Sequence, residues 1–257
     1  MITEAIEVNR AARQAAQMEQ FIDTYADRFE RGADAILTAE GRRVVAAYEA
    51  GGEAAAMLAP EQSPWMEYLT RTWVITAPDA AEVAASWLGI TDKAKNPRKE
   101  AIAAAARNQV KRIGPDKAAG MIETSKAMIT GVIAGAEPAN GPRLLLMALI
   151  NAYTDKKKKR SRKIAYSEVH ESANYGTMEA ASSLYRALDK VWVSKMDGRQ
   201  RDAHGAAHGQ RKRLDQHFIV MGERLNFPGD SSLGAGPELT INCRCQVIYQ
   251  SRNDRVE

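Results

Sequence analysis

Cysteine and histidine are scarce in this chain, with two cysteines and four histidines among 257 residues. The one internal disulfide open to it would join Cys243 and Cys245, two positions apart, and on a strand that pairing closes a strained ring. In the reducing cytoplasm where the chain is expected to be made and kept, no such bridge is expected. Aromatic residues reach only 6% while alanine supplies much of the apolar share, a balance that favours close-packed helices over a β-sandwich. The N-terminal Met1-Ile2-Thr3-Glu4-Ala5-Ile6-Glu7 has no basic n-region and no apolar h-region, so it does not read as a signal peptide. The most apolar run, residues 144–150, is far too short to cross a bilayer, and no membrane segment is expected.

What is present is the composition of a soluble folded protein, 45% apolar and 26% charged, long enough for one large domain or two small ones. The net charge of +4 is clustered. Asp155-Lys156-Lys157-Lys158-Lys159-Arg160-Ser161-Arg162-Lys163 holds seven basic residues against one acid, and Arg199, Arg201, Arg211, Lys212 and Arg213 form a second group. Such clusters are the electrostatic footprint of a polyanion neighbour. The plainer alternative is a solvated helix end or loop.

The expected fold class is α+β: a mainly α-helical body followed by a small, loop-rich α+β module. Three segments are expected, a helical arm over 1–60, a helical body over 61–163 and the module over 164–257. In residues 3–59, Ile6, Ala12, Met18, Phe21, Ile22, Tyr25, Phe29 and Ile36 recur at steps that mark one helical face. Gly32 and Gly41 are possible breaks and Gly51-Gly52 a likelier turn. Pro60 and Pro64 suggest a linker before a short helix carrying Trp65, Tyr68 and Leu69. Pro78-Asp79 reads as the start of another helix. Asn96 as N-cap and Pro97 at the first position open the next, which Gly114-Pro115 is expected to end. Further helices are expected over 116–134, 142–153 and 167–188. After Asp189 the pattern turns to short strands at 190–194, 217–221 and 245–249, set among many glycines.

Both cysteines and three of the four histidines, His204, His208 and His217, fall in the last quarter of the chain. His204 and His208 share a face if they lie on one helix, and Cys243 and Cys245 share a face if they lie on one strand. Two imidazoles and two thiolates make a donor set for tetrahedral zinc. A carboxylate such as Asp197, Asp202 or Asp215 is then expected to accept the free imidazole N–H. The alternative is that the cysteines are small buried apolar groups and the histidines belong to a hydrogen-bonded Asp/Arg network. The same residues can also be read as a reaction site, with His204, Asp202 and Arg201 serving phosphoryl transfer. Four protein ligands would leave a metal no open position for catalysis.

The order Trp192-x4-Asp197-x-Arg199-x-Arg201-x2-His204, then Asp215-x2-Phe218, Pro228-Gly229-Asp230 and Asn242-Cys243-Arg244-Cys245, resembles the phage Mu F-like minor head protein family, or head morphogenesis family. Ile164-Ala165-x-Ser167-Glu168-Val169 with Asn174 resembles the lead-in of that family, with Tyr166 and Ser167 in place of its arginine and threonine. The resemblance covers about a third of the chain. It implies a non-enzymatic virion component of a tailed phage or prophage, acting in head morphogenesis and in DNA packaging or delivery. The implied partners are the portal protein, the major capsid protein, or both, together with packaged double-stranded DNA bound without sequence preference. The implied location is the phage head near the portal, after assembly in the host cytoplasm. With eight residues following Tyr249, no appended toxin domain of the kind fused to related modules is expected.

Two groups are then expected to contact nucleic acid: Lys156, Lys157, Lys158, Lys159, Arg160, Arg162 and Lys163 in the first, and Arg211, Lys212 and Arg213 in the second. The competing reading is a metal-dependent or histidine-based nuclease. A free-standing DNA-binding regulator is disfavoured, because no helix-turn-helix with a basic recognition helix is evident.

Overall fold

The computed structural model describes residues 2–88, 98–135, 141–183 and 187–252. The expected cap at Asn96 and Pro97 and the apolar position Leu184 lie outside the described residues. Four long helices come first: α1 (Ile2–Leu58), α2 (Ser63–Trp87), α3 (Arg98–Ala134) and α4 (Gly141–Ser182). They are followed by β1 (Leu188–Val193), α5 (Asp202–Ala206), β2 (Arg211–Arg213), β3 (Phe218–Val220), β4 (Glu223–Leu225), α6 (Pro237–Thr240) and β5 (Gln246–Ser251). This is the expected α+β class, a helical body with a small sheet-containing module.

By its contacts the chain divides into two units. The first comprises residues 1–26, 72–108 and 166–257, and the second residues 27–71 and 109–165. Each of the four long helices therefore contributes to both.

On α1 before its kink, the buried apolar positions among the described residues are Met18, Ile22, Ala26, Phe29, Ala33, Leu37 and Val44, spaced by threes, fours and one seven. Ala12 is exposed, with Gln14 the buried position beside it, and Ile36 is half-buried, one position from buried Leu37. Neither Gly32 nor Gly41 breaks the helix. Gly41 admits the Tyr153 ring, whose nearest atom would be 2.9 Å from an added Cβ. The break comes at Gly52, with φ 69° and ψ −156°.

Three expected helix ends are absent, each for a packing reason. α2 runs through Pro78, and Asp79 is a mid-helix residue that accepts a hydrogen bond from Tyr25 Oη at 2.5 Å. α3 runs through Gly114-Pro115 because Gly114 lies against Met66, with 2.9 Å to Met66 Cε from a built Cβ, and the Pro115 carbonyl accepts from Gln62. α4 runs through the basic segment because acids on α1 receive part of its charge. Lys157 pairs with Asp34 at 3.1 Å, and Arg162 pairs with Asp27 and Glu30.

Arg160 turns furthest inward. It donates to the Met121 carbonyl and Ser125 Oγ and stands 3.9 Å from Glu40, which is fully buried. Ser125 and Tyr153 also donate to Glu40 Oε1, at 2.5 and 3.1 Å. Burial, together with the Glu40 carboxylate, pushes the Tyr153 hydroxyl well above its ordinary range.

In the first unit, α2 and α4 meet backbone to backbone. A Cβ at Gly176 would lie 2.0 Å from the Ala77 carbonyl oxygen. Tyr175 packs on Trp73 and Phe227, and Trp73 Nε1 donates to Glu168. Beside this pair lies an antiparallel sheet of order β2-β1-β5, with Trp192 opposite Val247 and Val191 opposite Arg211. β3 and β4 form a hairpin whose two turn residues, Met221 and Gly222, both have positive φ, as a tight type I′ turn requires. Met221 is thus turn rather than strand.

Candidate metal-binding cluster and basic pocket

α5 is one short turn, opened by Arg201 in extended conformation with Asp202 in its first turn. His204 projects from it into the interior and is 2% exposed. Its ring is met edge-on by Trp192 at 5.7 Å between centroids, and its carbonyl accepts from Ser194 Oγ. Before β5 the chain bends at Asn242, whose φ is 56° and whose N–H is held by Ser167 Oγ at 2.9 Å. That bend brings Cys243 and Cys245 to His204. Nδ1 lies 3.3 Å from Cys245 Sγ and 3.5 Å from Cys243 Sγ. Both cysteines are free and buried. They belong to the loop that leads into β5 rather than to a strand.

The electrostatics of the two thiols differ. Hydrogen bonding with Cys243, and after it with His204 and Ser194, lowers the pKa of the Cys245 thiol against the opposing effect of burial. Burial pushes the Cys243 thiol up.

Among the described residues, His204, Cys243 and Cys245 are the group whose donor atoms could hold a metal ion, all within 4.8 Å of one another. His208 is not in that group. α5 ends at Ala206, so the four-residue spacing no longer keeps the two rings on one face. The exposed His208 ring instead accepts the Ser194 N–H on Nδ1 at 3.0 Å.

None of the three carboxylates expected beside the imidazole bonds to it. Asp197 takes both terminal nitrogens of Arg244, at 2.6 and 2.9 Å, and Arg199 as well, which holds it far below the usual carboxylate range. Asp215 pairs with Arg213, and Asp202 is exposed. His204 Nε2 is buried with no hydrogen-bond partner.

A pocket lies over the cluster. Lys195, Arg199, Arg201 and Arg244 line it, with His204 and Cys245 in its wall. Arg201 is fixed by donation to the Ile241 carbonyl at 2.6 Å, and Lys195 pairs with Glu19.

The remaining residues of the sequence motif hold loops in place. Gly229, with φ 85°, presses on His170, and a Cβ there would lie 2.7 Å from His170 Nδ1. Asp230 is fully buried and accepts the Asn226 and Ser232 N–H groups at 2.8 and 2.9 Å. Asn174 donates to the Pro228 carbonyl and accepts the Val247 N–H. Phe218 meets Trp192 edge-on at 5.4 Å.

Three residues here escape sequence reasoning. His170 donates through Nε2 to the Cys245 carbonyl at 2.6 Å, and burial holds its pKa down at about 4. Glu171 accepts from both the N–H and the hydroxyl of Ser231. Lys190 is fully buried in β1 and donates to the Asn226 carbonyl. The spacing of His170 and Asn174, four apart on one helix, is a signal for His170; Glu171 and Lys190 have none. Tyr166 stacks on the His170 ring at 6.1 Å.

The basic residues divide. In the first cluster Lys157, Arg160 and Arg162 face acids on α1, whereas Lys156, Lys158, Lys159 and Lys163 are exposed. In the second, Arg211 pairs with buried Asp189 at 3.6 Å and contacts Gln250, Lys212 is half-buried, and Arg213 pairs with Asp215. No helix of the described residues is long and apolar enough to cross a membrane.

No curated protein and no solved structure matches the chain. The family model described as phage Mu protein F like protein matches residues 100–248, more than half of the 257, and spans the cluster, the pocket and every loop of the motif. The chain belongs to the phage Mu F-like family, the proteins of phage head morphogenesis.

Proposed function

We propose that the chain is a structural minor head protein of a tailed phage or prophage, seated in the head near the portal. There it engages the portal protein, the major capsid protein or both, and lies against packaged double-stranded DNA. The observation that carries this reading is how the family motif is spent. Pro228, Gly229, Asp230, Asn242 and Phe218 fix loops and pack the core, and Asp197 is saturated by two arginines. A motif used this way builds a rigid module more than it arms a reaction. His204 fits poorly as a general base, since its Nδ1 faces sulfur and Asp202 stays exposed on the surface. The exposed lysines of α4 offer the charge that a DNA neighbour would neutralise.

The decisive measurement is the position of the chain in an assembled particle, by cryo-electron microscopy of heads carrying a tagged copy. Density at the portal vertex is expected, and density spread evenly over the shell would overturn the portal-proximal placement. Incubation of the purified protein with DNA and RNA, with and without divalent ions, addresses the enzymatic alternative. Cleavage that disappears with His204→Ala would replace the structural reading with a nuclease.

A further inference from the structure

We propose that His204 Nδ1, Cys243 Sγ and Cys245 Sγ form a three-ligand site for a thiophilic divalent cation, zinc, whose fourth position opens into the basic pocket and takes an oxyanion of the phosphate class. The site stands on geometry. In tetrahedral coordination, Zn–S bonds of about 2.3 Å and a Zn–N bond of about 2.0 Å imply N···S edges of roughly 3.5 Å. The two edges found here are 3.3 and 3.5 Å, so the donors already stand near their bound separations. All three are buried, and each is held by its own support. Trp192 and Ser194 fix His204, the positive φ of Asn242 turns Cys243 inward, and His170 grips the Cys245 carbonyl.

The ligand count gives the site its openness. A fourth protein donor would close the coordination sphere, as in structural zinc sites. His208, the nearest in sequence, is turned to the Ser194 amide instead. The wall of the pocket contains His204 and Cys245, so the uncovered side of the cluster faces the pocket. Two thiolates cancel the charge of a divalent cation, and the pocket lining keeps a surplus of positive charge, because Lys195 faces Glu19 and Arg199 and Arg244 share the single carboxylate of Asp197, while Arg201 is held by a carbonyl. A bound anion would thus meet the metal on one side and guanidinium or ammonium groups on the other. The same chemistry serves a free phosphate or a terminal phosphate of DNA.

The test uses the full chain, reduced and stripped of metal, and titrated first with zinc and then with cobalt as a spectroscopic probe. One equivalent is expected to bind. The cobalt form should show thiolate-to-metal charge transfer and the intense visible bands of four-coordinate cobalt. X-ray absorption on the zinc form should give two sulfur and two lighter neighbours. His208→Ala should leave stoichiometry and spectrum unchanged, whereas Cys243→Ser and Cys245→Ser should lose the metal. Inorganic phosphate should shift the visible bands of the cobalt protein, and Arg201→Ala should weaken that shift. A 5′-phosphorylated oligonucleotide compared with its unphosphorylated twin separates the two anion sources. Absence of stoichiometric metal overturns the site, and so does its loss in His208→Ala. Cobalt bands indifferent to phosphate overturn the open fourth position. The absorption and phosphate measurements use the unaltered chain, so they decide the matter even where a cysteine variant fails to fold.

Discussion

A lysine in the middle of β1 is fully buried, and burial works against its charge. The Lys190 amine donates to the Asn226 carbonyl at 2.8 Å and lies over the Phe218 ring at 5.2 Å. Burial nonetheless lowers its pKa from 10.5 to about 8, with Asp230 and Asp215 opposing the shift. Between those two values the unfolded chain holds a proton that the folded chain has shed. Raising the pH therefore favours the fold across that window, and below it the cost of the buried ammonium is fully present. Urea unfolding of the native protein between about pH 8 and 10 should show a contribution from this group that rises by on the order of 2 kcal/mol. Lys190→Met should remove it. Tyr166 and Tyr249, raised by burial, act in the opposite sense near the top of that range, so the difference between the two proteins is the quantity to compare. Identical pH slopes in the two would refute the assignment. Nothing in the local sequence announces this lysine, because Lys190-Val191-Trp192-Val193 alternates as a strand with one wet face. The face that Lys190 shares with Leu188 and Trp192 is the buried one, while Val191 and Val193 are half-buried on the other, and only tertiary packing decides that. The His204 and cysteine convergence was legible because these residue types are rare enough for spacing to stand out. The fate of His208 was not, since it turns on whether α5 stops at Ala206 or reaches His208.

At the scale of elements, glycine and proline misled where packing overrode local propensity. Pro78 and Gly114-Pro115 carry the usual signals for helix ends, and both lie inside helices. Gly176 shows how such positions are used. It lets α4 touch the backbone of α2 at Ala77, an approach that any Cβ would block at 2.0 Å. Gly176→Ala should destabilise the protein by at least about 2 kcal/mol, read as a lower urea midpoint with an unchanged slope. A midpoint equal to that of the parent would mean that the helices part at little cost. The basic stretch of α4 misleads in another way. Seven cations in nine residues suggest a solvated junction, yet three of them turn to acids on α1 and keep the helix intact. Arg160 is the one among them that sustains a buried carboxylate. Arg160→Ala would leave Glu40 buried with only the Ser125 and Tyr153 hydroxyls as donors. A loss of about 3–5 kcal/mol is expected from such an uncompensated charge, and Glu40→Gln in the same background should recover part of it. Thermal unfolding of the single and double variants checks both statements, and a harmless Arg160→Ala would place the Glu40 charge elsewhere.

For the whole molecule, the division of the basic residues sets how much charge is left to meet a polyanion. A count of seven basic residues in one run overstates the available patch. Lys156, Lys158 and Lys159 are exposed along α4, while Lys157, Arg160 and Arg162 already serve acids of their own unit. Counterion release gives this division a measurable consequence. The dependence of log Kobs on log salt has a slope of about −0.9 for each phosphate neutralised on duplex DNA. Replacing Lys156, Lys158 and Lys159 together by alanine should therefore flatten that slope by up to about 2.7. Folding stability should shift by no more than about 0.5 kcal/mol, as for surface positions outside a network. Lys157→Ala should do the reverse, costing stability through its lost contacts with Asp34 and Thr38 while leaving the slope nearly unchanged. A fluorescence titration of labelled duplex DNA over a salt series, run beside thermal unfolding, separates the two outcomes. If the triple variant binds with an unaltered slope, the polyanion contact lies elsewhere on the surface and the exposed face of α4 is free to meet protein.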